Sequence, residues 1–77
     1  MLNPNEEKEF ERLLRRIGRN MRVVRKEQSL SQEQISERLG IGLRNYQRME
    51  HGRKAISTRN LFRIAARMGV SVERLVS

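Results

Sequence analysis

Cysteine is absent from this 77-residue chain, so no disulfide can staple it and no thiolate can ligate a metal. Aspartate is absent too, and the single histidine, His51, cannot assemble a metal site alone. With no Asp, no Cys, one His and no glycine-rich phosphate loop after a strand, the usual catalytic constellations are missing. Nothing in the residues calls for a cofactor or a small-molecule ligand. No apolar run approaches the ~20 residues of a membrane span, and no signal-peptide core follows Met1. These two absences set the expectation of a cytoplasmic protein. Proline occurs once, at Pro4, and strand-like alternation of β-branched residues is not found. Repeats, low-complexity stretches and linkers are lacking as well, so the chain reads as one domain. A domain this small buries only roughly 60% of the surface its unfolded chain exposes, which makes its core thin.

Acidic side chains are outnumbered. Seventeen basic residues against nine acidic ones leave a net charge of +8, and all the acids are glutamate. Fourteen of the seventeen are arginine. An excess of this sign is the footprint of a polyanion partner, because each phosphate neutralised releases condensed counterions. Arginine narrows the class, since its planar fork suits phosphates and guanine edges. RNA fits the charge but not the aromatics, because Phe10, Tyr46 and Phe62 are too few for a base-stacking platform.

Start and stop signals divide the chain into four or five helices and predict an all-α fold. Asn3 is placed to cap the first helix, with Pro4 at its first position and Glu6 and Glu7 in its first turn. Phe10, Leu13, Leu14, Ile17, Met21 and Val24 recur at three- and four-residue steps, one apolar stripe that carries the helix to about Glu27. Gly18 interrupts it, as a kink or as a close approach of another helix. A second helix opens at Ser31, which with Gln34 makes a capping box while Leu30 staples to Ile35. Ile35 and Leu39 face inward, and Gly40 is its left-handed stop. The third helix, residues 42–51, has Ile41 and Tyr46 spaced as a second staple, Tyr46 and Met49 as buried positions, and Gly52 beyond its end. Ser57 caps a fourth helix with Leu61, Ile64, Ala65 and Met68 on its apolar face, closed by Gly69. Ser71 caps a short fifth, with Val70 and Leu75 as the third staple.

Only Gly40, Ile41 and Gly42 separate the second and third helices. A turn that short forces a steep crossing, roughly 90–120°, and demands a small residue where the backbones meet. Ser36 sits at that point. Residues 31–52 therefore have the pattern of a helix-turn-helix. With Tyr46 and Met49 inward, Leu43, Arg44, Gln47, Arg48 and His51 must face outward. Arg44 and Arg48, four apart, stack on one face. Arginine grips guanine O6 and N7 with two prongs, and glutamine does the same with adenine. Leu43, an outward hydrophobe, suits a thymine methyl.

From about Ile17 to Val76 the sequence resembles the phage repressor and Cro type of helix-turn-helix domain, the XRE family. The strings that carry the resemblance are RKEQSLSQEQISERLGIGLRNYQRMEHGRK and LFRIAARMGVSVERL, about three quarters of the chain. It implies a compact four- to five-helix repressor-like fold that binds double-stranded DNA through the major groove. Leu43, Arg44, Gln47 and Arg48 then match base-reading positions. Gln32 matches a glutamine that touches the DNA backbone and braces a recognition-helix side chain. Asn45, Arg53, Lys54 and Arg59 match or adjoin phosphate-contacting positions, and Arg25 and Glu50 match a partly buried salt bridge. Four departures stand out: Tyr46 replaces a β-branched residue, Ser36 an alanine, and Gly42 a Ser or Thr cap, while residues 1–14 extend the first helix beyond the domain of residues 15–77.

The expected mechanism is a homodimer on a palindromic operator, with Val72, Leu75 and Val76 of the fifth helix, or the extended first helix, as the dimer contact; the alternative is that these residues complete the core of their own chain. Repressor, antitoxin and restriction-modification controller roles all fit. The rival of a different class is a protein-binding adaptor on the same fold, which calls for an apolar or acidic recognition face; here that face is basic and amide-bearing.

Overall fold

A computed structural model describes all residues from Met1 to Ser77. Five helices follow in order, α1 (Pro4–Glu27), α2 (Gln32–Leu39), α3 (Leu43–Glu50), α4 (Thr58–Met68) and α5 (Val72–Val76), with no strand. Four of them start where a side chain takes over the free N–H groups of the first turn. Asn3 Oδ1 accepts from the Glu6 amide at 2.8 Å while the Glu6 carboxylate accepts from the Asn3 amide at 2.9 Å. Ser31 and Gln34 make the same reciprocal pair at 3.0 and 2.8 Å. Ser57 and Ser71 cap α4 and α5, each at 3.1 Å. Such caps contribute about 1 kcal/mol apiece. Only α3, opening on Gly42, has no side-chain cap. α2 and α4 stop on Gly40 and Gly69 in the left-handed region, at φ 67° and 75°.

The C-terminal carbonyls are met differently, by side chains of other helices. Arg67 donates to Leu39 O at the end of α2 (2.8 Å), and Gln28 to Met68 O at the end of α4 (2.7 Å). Arg16 and Asn20 of α1 hold Val76 O and Leu75 O at the end of α5, at 3.0 and 2.8 Å. Each contact satisfies an orphan acceptor and pins one helix to another. Neither spacing nor periodicity signals them, because donor and acceptor lie 28 to 60 residues apart.

One core joins all five helices: Ile17, Met21 and Val24 from α1, Ile35 and Leu39 from α2, Tyr46 and Met49 from α3, Ile64, Ala65 and Met68 from α4, and Leu75 from α5. At 1.5 Å per residue, the 24 residues of α1 span nearly all of the 38 Å long axis. The helix runs unbroken through Gly18, so this glycine marks a close approach rather than a kink. A Cβ there would lie 2.6 Å from the Met49 carbonyl oxygen, inside contact distance. Towards the N-terminus the stripe loses cover, and Phe10, Leu13 and Leu14 are half-buried. No helix is long and apolar enough to cross a membrane.

The fifth helix corrects one expectation. Leu75, counted above as a dimer contact, is completely buried in the core of its own chain and offers no surface to a second copy. Its position four residues into α5 places it under Val70, where the staple holds it inward. Val72 and Val76 are half-buried against the same core. Phe62, by contrast, is 66% exposed on α4, outside the apolar face that periodicity assigns to that helix.

Candidate nucleic-acid interface

α2 and α3 meet at the Gly40–Ile41–Gly42 turn, closed by a hydrogen bond from the Ile41 amide to Ser36 O at 2.9 Å. Ser36 is buried on α2, and its hydroxyl donates to Glu33 O at 2.9 Å. The extra polar atom that distinguishes it from alanine is therefore satisfied within its own helix. Tyr46 and Met49 anchor α3 to the core. That orientation turns Arg44, Asn45, Arg48 and His51 out to solvent.

Leu43 and Gln47 are less free than the sequence pattern requires. Both are half-buried, and with Ser31, Gln32 and Glu33 they line an open hollow of about 360 Å³ between the starts of α2 and α3. Leu43 thus has cover on one side, where an entirely outward hydrophobe was expected. Gln47 is tethered: its amide nitrogen donates to Gln32 Oε1 at 3.1 Å, and Gln32 in turn donates to Glu50 Oε1 at 3.2 Å. The bracing glutamine implied by the resemblance is present in this form.

The tether ends on a buried ion pair. Arg25 meets Glu50 with both prongs, Nε to Oε2 at 2.8 Å and Nη2 to Oε1 at 3.1 Å, and its third nitrogen donates to Leu30 O at 2.9 Å. The two side chains are only 10% and 4% exposed, so water screens the pair weakly. Burial alone would raise the Glu50 carboxyl, but the hydrogen bonds from the Arg25 guanidinium and the Gln32 amide outweigh that and hold it below the ordinary glutamate value. Arg25 is shifted upward, chiefly by its hydrogen bond to Glu50. Fully charged, the pair joins α1 to α3 and neutralises the only acid between residues 44 and 63.

Tyr46 stands beside this pair, completely buried, and its hydroxyl has no hydrogen-bond partner. Desolvation pushes its phenol well above the usual range, so it stays neutral. An unpaired buried hydroxyl costs about 1–3 kcal/mol. Tyr46→Phe is accordingly expected to be at least as stable as the parent, by up to about 1 kcal/mol. A clear fall in melting temperature would mean that the hydroxyl supports Glu50.

The outer surface is positive without compensation. Arg44, Arg48, Arg53, Lys54 and Arg59 form no ion pair; the chain's three salt bridges, Arg12–Glu9, Arg25–Glu50 and Arg74–Glu27, all lie elsewhere. Arg53 and Arg59 are exposed and Lys54 half-buried, in the segment that leads from α3 into α4. Arg59 occupies the first turn of α4, which holds no acidic residue. A cation there opposes the helix dipole, a placement that favours an external anion over internal stability.

Comparisons with known proteins agree with this geometry. A family model described as helix-turn-helix matches residues 21–75. The fold is similar to that of the restriction-modification controller protein C.AhdI from Aeromonas hydrophila, at TM-score 0.75 and 24% identity, covering 80% of this chain and 94% of that one. It is also similar to the hypothetical transcription factor NHTF from Neisseria, at TM-score 0.77 and 29% identity, covering 87% of this chain and 78% of that one. No curated protein sequence matches. With a two-helix motif, a capped five-helix core and a family match spanning most of its length, the chain belongs to the XRE-type helix-turn-helix family of DNA-binding regulators.

Proposed function

We propose that this protein is a sequence-specific transcriptional regulator that lays α3 in the major groove of double-stranded DNA and binds a palindromic operator as a homodimer. The observation that carries the reading is the outer face of α3, where Arg44 and Arg48 stand side by side, exposed and unpaired, next to a tethered Gln47. Arg44 and Arg48 are the guanine readers and Gln47 the adenine reader, with Leu43 against a thymine methyl. Gln32, Asn45, Arg53, Lys54 and Arg59 hold phosphates and fix register without reading sequence. The family's DNA-binding role, the net charge of +8 and the absence of internal partners for these cations support this division of labour.

Dimerisation follows from the small footprint of one α3, since a single recognition helix reads only a few base pairs. Two copies would set their α3 helices about 34–36 Å apart, in successive major grooves on one side of the duplex. Val72 and Val76, half-buried on α5, remain the candidate contact.

Selection from a pool of random duplexes, followed by sizing of the complex, tests both halves together. The expected result is an inverted repeat whose half-sites are one helical turn apart, bound by two chains. Recovery of unrelated sequences would remove base reading from the proposal, and one chain per site would remove the dimer.

A further inference from the structure

α3 is short and uncapped at its start, so its angle on the body depends on what holds its far end. That end rests on α1, backbone to backbone. A Cβ added to Gly18 would lie 2.6 Å from Met49 O and closer still to Glu50 O. Just past the helix, Gly52 at φ 69° sits against Arg15, where an added Cβ would lie 2.7 Å from both Cα and Cγ and 2.9 Å from N. Two glycines on facing segments thus remove the side chains that would separate α3 from α1. Main-chain atoms have no rotamers with which to yield. Contact between them therefore sets a fixed height.

We infer that the Gly18–Gly52 seat on α1 fixes the depth and tilt at which α3 is presented, making both glycines positioning residues for base discrimination. The inference rests on the reading of α3 as the base-contacting helix. Two-pronged contacts from Arg44, Gln47 and Arg48 tolerate displacements of only about 0.5 Å and 10–20°. Phosphate contacts from the long side chains of Arg53 and Lys54 are more forgiving, because a flexible cation follows its anion. Lifting the end of α3 should therefore damage discrimination more than overall affinity. Gly18 lies outside the matched residues 21–75, so this control sits in a part of α1 that the family model does not describe.

The test compares Gly52→Asn with Gly69→Asn. Asparagine enters the left-handed region at little cost, and Gly69, at φ 75°, has nothing within 4 Å of an added Cβ. Backbone strain is thus matched and only the contact with Arg15 differs. Binding is measured to a duplex selected by the parent and to a scrambled duplex of equal length, at one salt concentration. Gly52→Asn is expected to lose about tenfold or more in the ratio of the two affinities, with scrambled binding within about twofold of the parent. Gly69→Asn should keep the parent ratio. Arg15→Ala against Arg15→Met gives a second comparison in which the fold is not strained, since both lose the charge and only alanine loses Cγ. There the ratio should fall about threefold for alanine alone. Parent-like ratios in Gly52→Asn, or equal ratios in the two Arg15 variants, overturn the inference while leaving base reading intact. A parent that fails to discriminate between the duplexes overturns base reading itself.

Discussion

Replacing Glu50 with alanine should cost about 3–5 kcal/mol of stability, enough to bring a domain of this size close to unfolding. The reason is less the lost attraction than what stays behind. Arg25 would keep its charge in a site where its side chain is only 10% exposed, with Leu30 O as its one remaining partner. Gln32 would lose its acceptor as well, and with it the anchor of Gln47. For 60–100 residues, each 1 kcal/mol lowers the melting temperature by roughly 4–8 °C, so a drop of at least about 12 °C is expected in a thermal melt followed by circular dichroism. A melt indistinguishable from the parent would refute the buried-pair assignment. Replacing both partners together, Arg25→Leu with Glu50→Met, should cost less than either single change, because no charge is then stranded.

The same carboxylate imposes a direction on the pH dependence. Its value in the folded state lies below the ordinary one, so the unfolded chain binds the proton more readily than the native one. Its contribution is complete above the unfolded value of about 4.3 and is lost as pH falls through the lower folded value. Glu50→Gln should flatten that acid limb of the stability curve, leaving the neutral region lower but level.

The second large effect concerns binding. Arg48→Ala should cost about 1–3 kcal/mol on the preferred site and relax discrimination at one base pair per half-site. Lys54→Ala should weaken every duplex by a similar factor and reduce the slope of log K against log salt by about 0.9 per chain. The proposed difference is chemical: the exposed guanidinium on the outer face of α3 would meet base edges, while the ammonium beyond its end would meet only phosphate. Isotherms on a set of singly substituted sites, at two salt concentrations, separate the two patterns. If both variants lost affinity uniformly across all sites, Arg48 would not be reading bases.

Much of the architecture was open to local reasoning because helix signals are local. Asn3, Ser31, Ser57 and Ser71 mark four starts, and each accepts the amide three residues on. Burial of Ile35, Leu39, Tyr46 and Met49 follows from their spacing once the helices are placed. Outward presentation of Arg44 and Arg48 is then a matter of helix geometry alone. The expectation of an outward Leu43, from periodicity, and that of Leu75 as a dimer contact, made despite its staple position, went astray for one reason. A pattern states which way a side chain points but not how far the neighbouring elements extend. α2 reaches far enough to half-cover Leu43, and α5 lies close enough to the body to bury Leu75 completely.

Residue identity alone therefore determined the helix starts, the short α2–α3 turn and the cationic face, since capping, periodicity and charge act within a few residues of their source. Tertiary structure decided how α3 is held: it joined Gln47, Gln32, Glu50 and Arg25, whose roles only the family resemblance implied, into one chain, resolved Gly18 as a contact rather than a kink, and closed the helix ends with Arg16, Asn20, Gln28 and Arg67. Those interactions join groups far apart along the chain, so they form only once packing has brought their elements together.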